Sequence, residues 1–447
     1  MEIENIEMLI KLLHEKRLVE LKLEILAYNE ADIAKIIEAL EPVDALAVFR
    51  ILPKEEASET FSFFEPELQE RFIELLTDSE VIELVENSYI DDAVDMLEEL
   101  PANVVKEVLG RVNLKRRAII NQYLNYPEDS AGSLMTAEYI GLNKGITVKQ
   151  AIEYIRGRGV SSENVYTCYI MSDTRKLKGY VTVKDLLTSD ENRLIDELIY
   201  KDIISVMTTD DQEDVAKVFK KYNLVALPVV DHEDRLVGII TIDDVLDVIE
   251  EEATEDFEKM AAMAPSDKPY LKTSIFEMFK NRKGWLLILM VSATLTASII
   301  NNYEMLLSSI AGLMAFVPML TDTGGNAGSQ SSTMVIRGLA LGDIKTSDYM
   351  KIVFKETFVS LITGLGLAIV NFIRVVITNP AHYMMGLTVS LTLIATVMMA
   401  NIVGGLLPIA AQKVKLDPAI MAAPLITTIV DALSLLVFFF FVSRILM

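Results

Sequence analysis

Five long apolar segments follow one another in the last third of the chain, and they constrain its fold more than any other feature. Each is long enough to cross a hydrocarbon core of about 30 Å as a helix, and lipid admits only backbones whose polar groups are paired internally. The segments are residues 284–300, about 305–340, about 352–378, about 384–411 and about 418–446. The sequence therefore predicts an α-helical membrane domain with five spans over residues 284–447.

The segments before and between the predicted spans carry lysine and arginine on one side of the membrane only. The residues concerned are Lys280, Arg282, Lys283, Arg337, Lys345, Lys351, Lys413 and Lys415. Basic loops face the cytosol under the positive-inside rule. We therefore expect a multi-pass protein of the cell inner membrane, with its N-terminal domains in the cytosol and, after five spans, its C-terminus outside.

The first 283 residues are strongly acidic. They hold 58 of the 65 acidic residues and 33 of the 41 lysines and arginines, which gives them a net charge of −25. Such a surface disfavours nucleic acid, so we expect no nucleic-acid partner, because nucleic acid binds positive surfaces. It attracts cations. The acidic N-terminus is unlike a signal peptide, and the single cysteine, Cys168, excludes an internal disulfide. Both features predict a cytosolic location for these residues.

Residues 1–130 have the apolar spacing of short amphipathic helices, as in ADIAKIIEAL at 31–40. A weak repeat at a spacing of 48 residues joins Asp44-Ala45 to Asp92-Ala93. Repeats of this kind favour an all-α superhelical N domain over 1–130. An ordinary helical bundle fits the same pattern.

A second repeat occupies residues 131–258. The segment 133–136 recurs at 205–208, and the segment 179–187 recurs at 238–246. Helical patterns and short apolar runs alternate between these motifs. We expect a multi-domain chain in which two α+β units, 131–200 and 201–250, are followed by a long connecting helix over 247–283 and then by the membrane domain over 284–447.

Two carboxylates lie within the predicted spans, where ionisable residues are rare unless they are functional or paired. In the second span, Asp322 is accompanied by Asn326 and by Gly324-Gly325, which predicts an unwound stretch. The structural alternative is that Asp322 only forms a hydrogen bond to a neighbouring helix.

Asp431 lies near the middle of the fifth span, with Thr427 one turn before it. Pro424 is expected to free the carbonyl of Ile420. These ligands are oxygens, without histidine or cysteine, and suit hard cations such as Mg²⁺ or Ca²⁺. Two chains on a two-fold axis would bring two copies of Asp431 to one ion. The alternative is again a hydrogen bond between helices.

Acidic residues recur at helical spacing in two places of the N-terminal part. The two sets are Asp91, Asp95, Glu98 and Glu99, and Asp247, Glu251, Glu255 and Glu258. Like charges on one helix face repel, so a divalent cation between two such faces would hold them together. The alternative is a solvated acidic surface.

The phrase ALPVVDHEDRLVGIITIDDVL at 226–246 resembles a CBS domain, and the internal repeat then implies a tandem CBS pair. That resemblance implies a regulatory module in which ATP or AMP is a possible ligand, with Lys184, Asp185 and Asp244 as candidate contacts. The alternative is that each aspartate caps the helix that follows its strand.

The phrases DTGGNAGSQSS at 322–332 and APLITTIVD at 423–431 resemble the MgtE family of Mg²⁺ transporters. The resemblance implies a homodimer in a lipid bilayer, with a pore at the subunit interface and Asp431 as the pore carboxylate. Ala423 stands where some members have an asparagine. The resemblance further implies passive import of Mg²⁺ through a pore that closes when cytosolic Mg²⁺ binds to acidic sensor residues. These sensor acids fall on or near Glu59, Asp91, Asp95, Asp247, Glu255, Glu258 and Asp417.

Four other functions are alternatives to Mg²⁺ transport. One of them, a membrane receptor without transport, would have no use for polar, broken helices in the membrane. Transport of another divalent cation, such as Co²⁺ or Mn²⁺, stays open. A transporter of organic solutes or anions is disfavoured by an aspartate at the midplane. An intramembrane aspartyl protease is a remote alternative. Such a protease has its two aspartates in Tyr-Asp and Gly-x-Gly-Asp motifs, whereas here Asp322 follows Thr321 and Asp431 follows Val430. The chain is therefore not expected to be an enzyme.

Overall fold

The computed structural model describes residues 3–447 except 99, 101, 160, 161, 267–269, 272, 379 and 422. The chain forms two compact units, residues 1–249 and residues 250–447, here called the first and the second unit.

The first unit begins with short helices of 8 to 12 residues, as the apolar spacing predicts. Their bounds are α1 Ile3–His14, α2 Leu18–Ile25, α3 Glu30–Glu38, α4 Pro42–Phe49, α5 Lys54–Ser62, α6 Pro66–Leu75, α7 Asp78–Asn87, α8 Ile90–Glu98, α9 Ala102–Arg111 and α10 Leu114–Tyr123. Four phenylalanine rings pack at its centre with centroids 5.0–6.2 Å apart, namely Phe49, Phe61, Phe64 and Phe72. The helical N domain is thus confirmed.

Two copies of one α+β pattern follow, and the last helix of the second copy begins in the first unit and ends in the second. The elements are α11 Ala131–Leu134, β1 Tyr139–Asn143, α12 Val148–Arg158, β2 Asn164–Met171, β3 Leu177–Thr182 and α13 Val183–Thr188, then β4 Val206–Met207, α14 Gln212–Tyr222, β5 Ala226–Val230, β6 Leu236–Thr241 and α15 Ile242–Met260. In each three-stranded sheet the first strand is parallel to the middle strand and the third is antiparallel to it. The repeat seen in the sequence is therefore a repeat of topology.

Each repeat also forms backbone hydrogen bonds with a segment of the other repeat. The amide of Thr136 donates to the carbonyl of Ile239 over 2.7 Å, and the amide of Ile239 donates back over 2.9 Å. Tyr180 of β3 and Tyr200, which lies in the segment that leads into the second repeat, exchange a second pair of bonds of 2.9 and 3.1 Å. The two repeats therefore form one body.

The second unit is helical. Its helices are α16 Ile275–Asn302, α17 Glu304–Ser309, α18 Val317–Ala340, α19 Tyr349–Thr378, α20 Tyr383–Lys413 and α21 Ala423–Ile445. Among the described residues, four helices are long and apolar enough to cross a membrane, namely α16, α19, α20 and α21 with the short turns beside them. The span predicted over 305–340 is not confirmed, because this segment is divided into α17, a short 3-10 turn and the polar, glycine-rich α18.

The connector predicted as one helix over 247–283 is also divided. It starts inside α15, which ends at Met260, and it finishes inside α16, which starts at Ile275.

The predicted unwinding at Gly324-Gly325 is wrong, because α18 continues through both residues. These glycines serve close packing instead. A Cβ atom on Gly324 would lie 2.8 Å from Ser434 Oγ, and one on Gly325 would lie 2.9 Å from the Thr427 methyl group. The closest approach is at Gly404 of α20, whose Cβ would lie 2.2 Å from the carbonyl oxygen of Gly328.

The predicted effect of Pro424 is wrong as well. Helix α21 begins at Ala423, so Pro424 lies in its first turn. Amide groups in that turn have no acceptor within the helix, so a proline there costs no helical hydrogen bond.

Candidate ion-conducting and cation-sensing sites

Polar side chains form a row along one face of α18. Asp322, Asn326 and Gln330 recur every four residues and are all exposed on the protomer. Glycines on the other faces of this helix are buried against α20 and α21. The packing therefore turns the polar row out of the protomer.

Asp431 is the ninth residue of α21 and is half-buried. Gly324 and Gly325, just after Asp322 on α18, pack against Val430 and Thr427 of α21. Thr427 donates its hydroxyl hydrogen to the carbonyl of Pro424 over 3.0 Å, so only its oxygen lone pairs remain for another group. Ala423 starts the helix and offers no side-chain oxygen. The predicted pore residues Asp322, Thr427 and Asp431 therefore lie on two helices that pack against each other.

Three carboxyl groups meet in the interior of the first unit. They belong to Asp91 on α8, to Glu163 just before β2, and to Asp244 on α15, and one oxygen of each lies within 4.8 Å of the others. Asp91 is only 7% exposed. Asp91 Oδ1 and Glu163 Oε2 are buried and have no hydrogen-bond partner in the described structure. Buried oxygens of this kind are costly unless a donor or a cation satisfies them.

Asp91, Glu163 and Asp244 are here called the carboxyl cluster. Helix capping positions part of it. The Thr241 hydroxyl lies 2.7 Å from Asp244 Oδ2 and 3.2 Å from Glu163 Oε1. Thr241 ends β6 and Asp244 lies in the first turn of α15, so the connection between this strand and this helix places Asp244 in the cluster.

The cluster resists ionisation. Burial, followed by repulsion from Glu163, Asp92 and Asp244, raises the pKa of Asp91 well above its usual range. Burial first, and neighbouring acids second, raise the pKa of Glu163 to about 8 and that of Asp92 to about 7. Burial likewise raises the pKa of Asp244 to about 6. At neutral pH the cluster therefore needs either protons or a cation.

The sequence predicted only part of this cluster. Asp91 was expected as a cation ligand and Asp244 as a nucleotide contact, whereas Glu163 was missed. Glu163 is a single acid in the turn before a buried strand, and no periodicity marks it. Only its buried neighbours identify it.

Other predicted sensor acids lie around the cluster. Asp247 is exposed one turn after Asp244, and its charge contributes to the raised pKa of Asp244. Glu59 is exposed, and its charge contributes to the raised pKa of Asp92. Asp95 and Glu251 are exposed, and the structure does not bring them into the carboxyl cluster. Glu99 lies outside the described residues.

The remaining predicted sensor acids belong to the second unit and already have partners. Glu255 and Asp417 both contact the ammonium group of Lys259. Glu258 Oε2 accepts a hydrogen bond from the amide of Ser266 over 2.7 Å.

The candidate nucleotide contacts are mainly helix caps. Asp185 forms a capping box with Thr182 at the start of α13, and Asp244 accepts from Thr241 in the same way. Lys184 is exposed beside Asp185. Capping therefore accounts for both aspartates, and nucleotide binding stays a prediction.

Comparison with known proteins covers nearly the whole chain. Residues 317–441 match a family model for divalent cation transporters named MgtE, residues 28–129 match the MgtE intracellular N domain, and residues 131–192 and 195–251 match CBS domains. The magnesium transporter MgtE of Thermus thermophilus is 33% identical over 431 residues, which is 92% of this chain and 95% of that protein.

Two solved structures of cytosolic or soluble domains match just over half of the chain. The soluble part of a magnesium transporter is 28% identical, with a TM-score of 0.54, and covers 56% of this chain and 98% of its own. The cytosolic domain of the Mg²⁺ channel MgtE, solved in complex with ATP, is 32% identical, with a TM-score of 0.52, and covers 54% of this chain and 98% of its own.

Proposed function

Since the chain belongs to the MgtE family of magnesium transporters, we propose that it carries Mg²⁺ passively across a membrane and that Mg²⁺ bound in the first unit closes it. The observation that carries the proposal is the exposed row of Asp322 and Asn326 on α18, a helix of the membrane unit that packs against the helix of Asp431.

This polar row supports a conducting path between two protomers. Carboxylate and amide side chains are costly against lipid, and a second copy of the chain related by a two-fold axis would cover them. Two copies of Asp431 would then face one ion and balance its charge. Mg²⁺ gives up its bound water reluctantly. The small number of side-chain oxygens here therefore suits an ion that keeps most of its hydration shell.

The direction of transport follows from the membrane potential. A divalent cation that enters an inside-negative cell gains about 4.6 kcal/mol per 100 mV, twice the value for a single charge. Passive import needs no other energy source. We place the acidic first unit in the cytosol, as the basic loops indicate. We place the C-terminus outside, which requires α18 to cross the membrane in addition to the four apolar helices.

The carboxyl cluster supports the gating part of the proposal. It joins α8 of the helical domain, the first CBS repeat through Glu163 and the second through Asp244. Its two unpartnered, buried oxygens fit a hard cation. Mg²⁺ at this site would tie these three parts together, and Asp92, Asp247 and Glu59 would add negative potential around it. A state that binds Mg²⁺ more tightly gains population as Mg²⁺ rises.

Nucleotide binding is a secondary part of the proposal. The related cytosolic domain was solved with ATP, and Lys184 is exposed beside the capped turn of α13. We assign Lys184 to the phosphates of ATP or AMP, because the carboxylate of Asp185 is engaged by Thr182. Calorimetric titration of both nucleotides into the wild type and the Lys184→Ala variant tests this assignment.

Ion flux into liposomes tests the main proposal. The purified full chain should admit Mg²⁺ at low internal Mg²⁺ and stop at high Mg²⁺ on the side of the first unit. Mn²⁺, Co²⁺ and Ca²⁺, tested in parallel, establish the selectivity. Flux that is indifferent to Mg²⁺ on that side would refute closure by Mg²⁺, and the absence of divalent flux from inserted protein would refute transport.

A further inference from the structure

An ammonium group lies between two acidic residues that the sequence predicted as cation ligands. Lys259 Nζ is 2.5 Å from Glu255 Oε1 and 2.7 Å from Asp417 Oδ2. Glu255 precedes Lys259 by one turn of α15, which is the favourable order for such a pair. Asp417 belongs to the turn that leads into α21. The ammonium group therefore joins the end of α15 to the start of α21, both within the second unit.

This ion pair is more shielded than an ordinary surface pair. The Lys259 side chain is 22% exposed, whereas that of Lys351, which pairs locally with Asp348, is 84% exposed. Burial alone would lower the pKa of Lys259, but hydrogen bonds to Asp417 and Glu255 outweigh it and raise that pKa above its usual value. Lysine is seldom this covered unless it is paired. Lys259 therefore carries its charge at every physiological pH.

The surrounding acids have no open arrangement for a metal ion. Asp417 Oδ1 accepts the amide of Ala419 over 2.8 Å, which shapes the turn before α21. Glu258 accepts the amide of Ser266. Within the described residues, the one carboxylate trio spaced to hold a metal lies in the first unit. A divalent cation at the Lys259 junction would have to displace the ammonium group.

We propose that Lys259 is a built-in counter-ion that holds the end of α15 against the turn before α21, so that this contact forms without a bound divalent cation. Helix α15 carries Asp244 of the carboxyl cluster near its start, and α21 carries Asp431. The contact therefore lies on the segment that joins the sensing cluster to the conducting helix, and it favours the closed state even at low Mg²⁺. Its effect on flux rests on the function proposed above, whereas the contact itself does not.

Distance measurements by double electron–electron resonance test the contact directly. Spin labels are placed on the full chain at Thr254→Cys and Gln412→Cys, both exposed positions of the second unit, while the native Cys168 is fully buried. In EDTA the wild type and Lys259→Arg should give one narrow distance distribution, and Lys259→Met a broad one. Lys259→Glu should be broad in EDTA and become narrow with Mg²⁺, because three carboxylates then require a divalent cation.

Flux at low Mg²⁺ tests the consequence. Lys259→Met should raise Mg²⁺ flux about fivefold, as expected for the loss of a partly shielded ion pair, and Lys259→Arg should not. Lys351→Met is the matched control, because it removes a lysine whose ion pair is local and exposed, and it should behave as wild type.

A narrow distribution for Lys259→Met or Lys259→Glu in EDTA would overturn the proposal. If Lys259→Met folds poorly, the reversed pair Lys259→Asp with Asp417→Lys replaces it. A narrow distribution for the reversed pair supports the proposal, and a broad one in folded protein overturns it. A protein that passes no Mg²⁺ at all would count against the proposed function only, because the distances still decide whether Lys259 holds the contact.

Discussion

The carboxyl cluster of the first unit and the carboxylates of the second unit are exposed to very different degrees. Asp91 is buried and its partners Glu163 and Asp244 are partly buried, so this cluster is largely enclosed within one protomer, and one buried oxygen each of Asp91 and Glu163 lacks a donor in the described structure. Asp322 is exposed on the protomer surface, and Asp431 is half-buried on the helix that packs against that of Asp322. An enclosed site holds a cation tightly because few waters compete for it, whereas an open site lets a hydrated ion enter and leave. The first arrangement suits sensing and the second suits transport.

The Lys259 junction is a third arrangement. There the positive charge between two acids is part of the chain. Of the three sites, only the enclosed cluster has unpartnered buried carboxylate oxygens in the described structure, so we expect the Mg²⁺ dependence of closing to come mainly from the first unit.

Asp431→Asn should have the largest effect on transport. The amide keeps the shape of the side chain but removes the charge that balances the ion, so we expect Mg²⁺ flux to fall about a hundredfold, equivalent to ~2.8 kcal/mol. Asp343→Asn, which neutralises an exposed loop acid of the same unit, serves as the control. Unchanged flux in Asp431→Asn would remove Asp431 from the conducting path.

Glu163→Gln should alter closing without altering conduction. The loss of one of three carboxylates weakens Mg²⁺ binding in the enclosed cluster. Half-closure should therefore need about tenfold more Mg²⁺ on the side of the first unit, equivalent to ~1.4 kcal/mol. Flux at very low Mg²⁺ should stay at the wild-type level. Glu153→Gln, an exposed acid of the same repeat, should leave both unchanged. A reduced maximal flux in Glu163→Gln would show that the carboxyl cluster affects conduction as well as closing.

Asp322→Asn should lower flux less than Asp431→Asn does. Asp322 is exposed and water screens its charge, so we expect a decrease of about threefold, the effect of a weak electrostatic contact. The Mg²⁺ concentration for half-closure, measured on the same liposomes, should not move. A decrease as large as that of Asp431→Asn would mean that both acids hold the ion directly.

The pH dependence of stability should show the smallest effect. The raised pKa values of Glu163 (about 8), Asp92 (about 7) and Asp244 (about 6) mean that these carboxyl groups stabilise the fold while they are protonated. That contribution is lost as the pH rises through about 6 to 8. In EDTA, the first unit should therefore melt at a lower temperature at pH 8.5 than at pH 5.5, by about 2–4 °C for each kcal/mol lost.

Mg²⁺ should reverse this loss, because metal binding replaces the protons. Calorimetry of the full chain at both pH values, with and without Mg²⁺, checks the effect. Equal melting temperatures in EDTA at the two pH values would show that the cluster is not strained by its charge.

Local patterns in the sequence were sufficient for the element types. The spacing in ADIAKIIEAL predicts helix α3, and the apolar run ALPVVD predicts strand β5. These predictions succeed because helical and strand periodicity depend on residues only a few positions apart. The prediction of five spans rested on hydropathy in the same way, and it is not met at α18, where polar and glycine residues lower the hydropathy.

Sequence alone therefore determined the acidic first unit, the repeated α+β topology, the apolar helices and the presence of Asp322 and Asp431 among them. Tertiary structure decided which acids meet. Asp91, Glu163 and Asp244 come from three distant segments, and Lys259 reaches Asp417 across the second unit. It also decided that Gly324-Gly325 permits close helix packing rather than unwinding. Such contacts depend on how whole elements pack, and the energy of a buried carboxyl group is set by neighbours that no local spacing in the chain identifies.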